Sequence, residues 1–160
     1  MRLLPADPGH RLIVYCDGAA RGNPGPAGIG AAVFSESGDL LAEVWEGIGI
    51  ATNNVAEYRA AIAGLERCRD LGAEQVLVRA DSKLIVEQLS GRWRVKNPTL
   101  IRLHGDARAL IKGFGRVRFE HVPRERNKVA DKLANRGVDA WLRGPGAGMV
   151  SDDPSPDLFG

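Results

Sequence analysis

Four carboxylates stand at positions where a folded chain can gather them. Asp17 ends an apolar, β-branched run and is followed by a stretch rich in glycine and proline. Asp81 follows a second apolar run, and Glu57 and Asp131 lie early in two segments with helical periodicity. A carboxylate at the end of a buried strand is poorly solvated and repels others like it, so it needs compensation. Divalent cations with a preference for oxygen supply it, and we therefore predict a metal site anchored by Asp17.

Each of these carboxylates has a simpler explanation when it is taken alone. Asp17 and the following glycine could form a turn, Glu57 could belong to a capping box, and Asp81 could be an N-cap. Asp131 could be a solvated residue favoured by the helix dipole. Together, however, they occupy the places that a sheet covered by helices brings to one edge. Carboxylates packed there would repel one another by several kcal/mol, and a pair of Mg²⁺ ions would neutralise them.

Other metal and nucleophile chemistries find little support in the sequence. His10, His104 and His121 share no spacing typical of zinc ligands, and no serine lies in a glycine elbow. Cys16 and Cys68 lie in apolar surroundings and do not resemble a disulfide framework. We expect free thiols in a reducing compartment, and hence a cytoplasmic protein.

The composition is that of a soluble globular protein. The 160 residues suggest one domain, with 44% apolar and 26% charged residues. The formal net charge of +2 hides a mildly basic body, residues 1–142, and an acidic end, residues 143–160. This charge permits a polyanionic partner without requiring one. The start lacks a secretory pattern and no apolar run is long enough for a bilayer, so no membrane partner is expected.

The residue patterns predict five strands and four helices. The predicted strands are 12–16, 28–34, 40–48, 75–80 and 116–122, and the predicted helices are 53–71, 82–89, 99–111 and 127–142. Residues 18–26 are expected to form a loop. The order βββαβααβα predicts an α/β fold, a mixed five-stranded sheet with helices on both faces. Residues 11–142 would form the domain, after a loose lead-in at 1–10 and before a flexible tail or linker stub at 143–160.

Four short blocks of sequence contain the four carboxylates. They are residues 17–26 (DGAARGNPGP), 52–58 (TNNVAEY), 80–82 (ADS) and 127–134 (NKVADKLA). In this order, over about residues 11–141, they resemble the signature motifs of type-1 ribonuclease H. Residues 90–98 (SGRWRVKNP) are similar to a bacterial branch in which this domain is sometimes fused to a phosphatase domain.

The resemblance implies a fold, a reaction and a ligand set. The fold would be ribonuclease H-like, with strand order 3-2-1-4-5 and the second strand antiparallel. The reaction would be endonucleolytic hydrolysis of the RNA strand of RNA–DNA hybrids, with two Mg²⁺ ions (Mn²⁺ as a substitute), giving 5′-phosphate and 3′-hydroxyl ends. Asp17 would bridge the ions, Asp81 and Glu57 would complete the ion on the leaving-group side, and Asp131 would hold the ion that activates water. Separately from the resemblance, we expect a monomer.

The resemblance also implies contacts with the hybrid. Asn23, Thr52 and Asn54 match positions that contact it, and Ser82 follows the third carboxylate as in the family. Short amides suit the 2′-hydroxyls in the minor groove, although turn and cap roles are the alternative. Arg21 could meet a phosphate or be an ordinary surface charge.

Two segments depart from the family pattern. The loop at residues 122–127 lacks the histidine that many members carry, and Arg124 or Arg126 could assist product release but could not act as a general base. The connector has no long basic helix; Trp93 could pack on a sugar and Arg94 could pair with a phosphate, or the tryptophan could be a lid over the sheet. The sequence thus leaves open a non-catalytic nucleic-acid-binding module, and an enzyme for DNA junctions or double-stranded RNA, on the same fold.

Overall fold

The computed structural model describes residues 10–144, and the lead-in and most of the acidic tail lie outside the described residues. The strands are β1 (Arg11–Ala20), β2 (Gly25–Ser35), β3 (Leu40–Ala51), β4 (Gln75–Ala80) and β5 (Arg116–His121). The helices are α1 (Asn53–Asp70), α2 (Lys83–Leu89), α3 (Pro98–Ile111) and α4 (Lys128–Leu142), and a single 3₁₀ turn (Arg124–Arg126) precedes α4. The predicted order of elements is therefore confirmed.

The five strands form one mixed sheet in the order β3-β2-β1-β4-β5. The strand β2 is antiparallel to both β1 and β3, whereas β4 is parallel to β1 and to β5. This is the predicted ribonuclease H-like order 3-2-1-4-5. Parallel neighbours joined through helices place the carboxyl ends of β1 and β4 side by side.

The strand β1 is longer than predicted. Residues 18–26 were expected to be a loop, but β1 continues through Ala20 and pairs with β2 as far as Ala20 opposite Ala27. Only residues 21–24 form the turn. The prediction was wrong because the glycines suggested a break, whereas the antiparallel ladder with β2 supplies hydrogen bonds beyond the point where β4 ends. Asp17 is therefore a residue within a strand and not at its end.

Helices pack on both faces of the sheet. The core between the sheet and α1 contains Val14, Tyr58 and Leu65, all fully buried. On the opposite face, α4 lies close against β2. A Cβ added to Gly30 would lie only 2.4 Å from the main-chain nitrogen of Ala134. The two cysteines are buried free thiols, as predicted. Among residues 10–144, none of the helices combines the length and hydropathy that a membrane crossing requires.

Candidate metal centre

Asp17 and Asp81 lie side by side where two parallel strands part. The ladder between β1 and β4 ends with the pair Cys16 and Ala80, so each aspartate is the next residue of its own chain segment. Asp17 is directly opposite Gly30 in the antiparallel ladder, and its side chain therefore shares the sheet face against which α4 packs. Only 4% of Asp17 is exposed.

Glu57 reaches the site from α1, and its contacts exclude the capping-box explanation. The N-cap of α1 is Thr52, whose hydroxyl accepts a hydrogen bond from Val55 N at 3.2 Å. Oε1 of Glu57 instead accepts from the main-chain nitrogen of Gly18 at 3.1 Å. A Cβ at Gly18 would lie 2.3 Å from the carbonyl carbon of Ala56. Glycine at this position therefore lets β1 and α1 approach closely enough for Glu57 to meet Asp17.

Asp81 is likewise free for the site. The N-cap of α2 is Ser82, whose hydroxyl accepts from Ile85 N at 3.3 Å. The N-cap explanation of Asp81 is therefore wrong, because the following residue performs that role. The turn-pair explanation of Asp17 fails as well, since the residue is paired on β1.

Three of the four carboxylates converge. One carboxylate oxygen each from Asp17, Glu57 and Asp81 lies within 4.8 Å of the other two. Asp131, in the first turn of α4, is outside this group of three but lies beside Asp17. Its Oδ1 accepts from Nδ2 of Asn135 at 3.3 Å. The structure thus brings together three of the predicted ligands and places the fourth at their margin.

Burial and the nearby carboxylates raise the pKa values of Asp17 and Glu57. Burial, followed by the charges of Glu57 and Asp81 and the carboxyl of Asp131, raises the pKa of Asp17 to about 9. Burial and then the charge of Asp81 raise the pKa of Glu57 to about 8, against the opposing effects of the Gly18 N–H and the Arg124 charge. Ionising Asp17 and Glu57 together at this site is therefore unfavourable without a cation.

The donor set fits a hard divalent cation. All three converging ligands are carboxylate oxygens, the type of donor that Mg²⁺ and Mn²⁺ prefer, and neither histidine nor thiolate joins them. Within residues 10–144, no second group of three histidine, cysteine or acidic side chains converges in this way. The structure therefore supports a carboxylate metal centre and gives no support to a zinc site.

Three of the predicted contacts with the hybrid lie in the turn after β1 and at the start of α1. Asn23 lies in the exposed turn between β1 and β2, and its Oδ1 accepts from Asn53 N at 2.9 Å, which ties the turn to the start of α1. Asn54, the residue after Asn53, is exposed in the first turn of α1. Thr52 caps the same helix through its hydroxyl while remaining exposed.

The cationic and aromatic candidates occupy different positions. Arg21 pairs with Asp139 at 2.8 Å and donates to Oδ1 of Asn135 at 3.1 Å, so it joins the turn after β1 to α4. Arg124 is exposed in the 3₁₀ turn, and its charge partly opposes the rise in the pKa of Glu57. Trp93 is 45% exposed in the connector between α2 and α3. Arg94, beside it, is also exposed.

Two asparagines that the sequence analysis did not single out lie beside the carboxylate cluster. Asn135 bonds both Asp131 and Arg21, and its only sequence signal is the spacing of four residues from Asp131. Asn127 is fully buried and donates to the carbonyl of Cys16 at 2.9 Å. Asn127 lies within the fourth sequence block, where the sequence predicted only that it starts a helix. Its contact with β1 was not predicted.

Comparison with known proteins identifies relatives along most of the chain. A protein-family profile described as reverse transcriptase-like matches residues 15–137. The bifunctional protein Rv2228c of Mycobacterium tuberculosis is 53% identical over 131 residues, which cover 81% of this chain and 36% of that protein. Ribonuclease HI of Halobacterium salinarum is 47% identical over 133 residues, covering 83% of this chain and 67% of the relative. This chain thus spans about a third of the length of Rv2228c.

A solved ribonuclease H structure also matches most of the chain. LC11-RNase H1 in complex with an RNA/DNA hybrid superposes with a TM-score of 0.78 at 43% sequence identity. The match covers 82% of this chain and 99% of that one.

Proposed function

Because this chain belongs to the ribonuclease H family, we propose that it hydrolyses the RNA strand of RNA–DNA hybrids at a two-metal site. The observation that carries the proposal is the convergence of buried oxygens from Asp17, Glu57 and Asp81 within 4.8 Å. A surface that only bound phosphates would gain nothing from a negative cluster, because the cluster would repel the ligand. A metal-dependent nuclease needs such a cluster.

The proposed ions are Mg²⁺, with Mn²⁺ as a substitute. When bound, two ions would activate a water and stabilise the leaving oxygen of a phosphodiester. Asp17 is the most buried of the three converging carboxylates and sits between the others and Asp131, so we assign it the shared ligand position. Glu57 and Asp81 would serve the leaving-group side, and Asp131 the side of the attacking water. The products would carry 5′-phosphate and 3′-hydroxyl ends.

Other residues near the cluster would orient a catalytic carboxylate or contact the substrate. The N–H of Gly18 fixes the carboxylate of Glu57. Asn23, Thr52 and Asn54 would contact 2′-hydroxyls in the shallow minor groove, where RNA differs from DNA. The hybrid-bound structure of the relative LC11-RNase H1 supports a hybrid as the substrate.

Cationic and aromatic residues would contact the backbone of the hybrid. Trp93 and Arg94 would pack against a sugar and pair with a phosphate, and Arg21 and Ser82 would contact the strand near the cluster. Arg124 would assist release of the phosphate product, since an arginine stays charged and cannot act as a general base. A few phosphate contacts make the affinity sensitive to salt.

A cleavage assay tests the proposal. Purified protein is incubated with a hybrid labelled on the RNA strand, with Mg²⁺ or Mn²⁺, with EDTA, and with EDTA followed by excess metal. We expect RNA cleavage only when metal is present, and its loss in Asp17→Asn but not in the matched variant Asp106→Asn, which changes an exposed aspartate on α3. Absence of metal-dependent cleavage by clean protein would refute the proposal.

A panel of substrates separates the rival functions. Hybrid, double-stranded RNA, double-stranded DNA and an RNA–DNA junction are compared under the same conditions. Preferential cleavage of the RNA strand of the hybrid supports the proposal. Hybrid binding without turnover under every metal indicates a non-catalytic module, and faster cleavage of double-stranded RNA or of the junction reassigns the substrate.

A further inference from the structure

Asn127 is the N-cap residue of α4, yet its side chain does not cap the helix. The side chain is fully buried, and Nδ2 donates to the carbonyl of Cys16 on β1 at 2.9 Å. Asn97 holds the same position at the start of α3, and its Oδ1 accepts from Leu100 N at 3.1 Å as a normal cap does. The side chain of Asn127 therefore joins a helix to the sheet and contributes nothing to closing the first turn.

The contact lies where the sheet divides. The ladder between β1 and β4 ends at Cys16 and Ala80, after which the chain leaves β4. From this point β1 is paired only with β2. The amide of Asn127 thus binds β1 at the opening beside which Asp17 and Asp81 stand. A buried hydrogen bond here resists separation, because separation would leave a buried amide and a buried carbonyl without partners.

Asn127 connects two of the carboxylates through the main chain. Asp17 follows the carbonyl that the side chain binds, and Asp131 donates its N–H to the carbonyl of Asn127 at 3.1 Å. One residue thus contacts the strand at Asp17 and begins the turn that carries Asp131.

We propose that Asn127 is a positioning residue, which fixes the separation of Asp17 and Asp131 so that both can ligate the same metal centre. This inference rests on the proposed function, because it concerns the same site. Asn127 acts through β1 and through the first turn of α4, and it is not itself a ligand. The geometry of the centre then depends on an amide that has no role in binding the hybrid.

The test compares Asn127→Ser with Asn97→Ser in the full chain. Serine is as good an N-cap as asparagine, so each helix keeps its start, but serine at 127 is too short to reach the β1 carbonyl. Mn²⁺ binding is measured by calorimetry, the Mg²⁺ dependence of kcat by hybrid cleavage, and hybrid affinity by fluorescence anisotropy with Ca²⁺. We expect at least tenfold weaker Mn²⁺ binding and a raised Mg²⁺ requirement in Asn127→Ser, with hybrid affinity within twofold. Asn97→Ser should leave all three unchanged.

Equal behaviour of the two variants, or Mn²⁺ affinity of Asn127→Ser within twofold of the parent, overturns the inference, and so does a parent protein that binds no Mn²⁺. Asn127→Asp serves if the serine variant does not fold. It keeps the size, removes the donor and adds a negative charge that by itself favours a cation. Weaker Mn²⁺ binding in this variant supports positioning, and tighter binding overturns it. A parent protein that binds Mn²⁺ but cleaves no RNA refutes the proposed function alone.

Discussion

Replacing Asp17 by asparagine should stabilise the metal-free protein near neutral pH while removing the proposed nuclease activity. In the folded chain, burial and the neighbouring carboxylates raise the pKa of Asp17 to about 9, whereas an unfolded aspartate titrates near 3.9. The folded state therefore binds the proton more tightly than the unfolded state. The contribution of Asp17 to stability is therefore greatest at low pH and is lost progressively as the pH rises from about 4 towards 9.

The size of the effect follows from the pKa difference. Each unit corresponds to about 1.36 kcal/mol, and pH 7 lies roughly three units above the unfolded pKa, which gives a ceiling of about 4 kcal/mol. Asparagine avoids the charge, but its amide N–H₂ also needs an acceptor in a site that is 4% exposed. We therefore expect a net gain of about 1–3 kcal/mol, or roughly 3–10 °C in Tm for a domain of this size.

The assay is thermal unfolding in EDTA at pH 4.5 and pH 7.5, with Asp106→Asn as the matched variant. The gain of Asp17→Asn should be clear at pH 7.5 and nearly absent at pH 4.5. Mg²⁺ should narrow the difference in Tm, because a cation bound at the proposed site stabilises the folded parent by mass action. Activity with Mg²⁺ should fall at least a hundredfold, since the proposed shared metal ligand is lost. A Tm of Asp17→Asn at or below that of the parent at pH 7.5 in EDTA, or a gain independent of pH, would refute the reasoning.

Three other predictions concern separate features of the molecule. Gly18→Ala should lower the free energy of unfolding by about 2–4 kcal/mol, because its Cβ would meet the main chain of α1; Gly105→Ala, in open space on α3, should raise it by about 0.5–1 kcal/mol. Equal Tm changes for the pair would contradict this. Asn23→Ala should raise KM for the hybrid severalfold with kcat within twofold, as steady-state kinetics can check; a fall in kcat alone would point to the cluster instead. Tyr58→Phe should lower the free energy of unfolding by about 1–3 kcal/mol, because the buried hydroxyl of Tyr58 donates a hydrogen bond to Gln88. Urea denaturation measures this change, and an unchanged midpoint would show that the hydrogen bond contributes nothing to stability.

Local patterns in the sequence sufficed for much of the architecture. Alternation and helical periodicity identified every strand and all four helices, because the side of an element that is buried leaves its period in the residue types. The order βββαβααβα then indicated the mixed sheet, since parallel neighbours need crossover helices. The spacing of the acidic residues indicated the cluster, because strand ends and first helical turns meet at one edge of such a sheet.

The length of β1 and the partners of individual polar groups needed the tertiary structure. Glycine and proline after Asp17 suggested a loop, but pairing with β2 carries the strand to Ala20. Thr52 caps α1 and Ser82 caps α2, so neither Glu57 nor Asp81 has the capping role that the local sequence allowed. Arg21 forms an ion pair with Asp139, which is distant in the sequence. These partners depend on sheet register and helix docking, which no local pattern contains.

The sequence by itself thus determined the kinds of groups in the carboxylate cluster and the elements that carry them, because composition and period are local properties. Only the tertiary structure decided that three carboxylates converge while Asp131 stands at their margin. It also decided that a buried amide, Asn127, joins α4 to β1 at the division of the sheet. Those distances result from how closely α1 and α4 approach β1 and β2, and that approach is set by the packing of residues far apart in the chain.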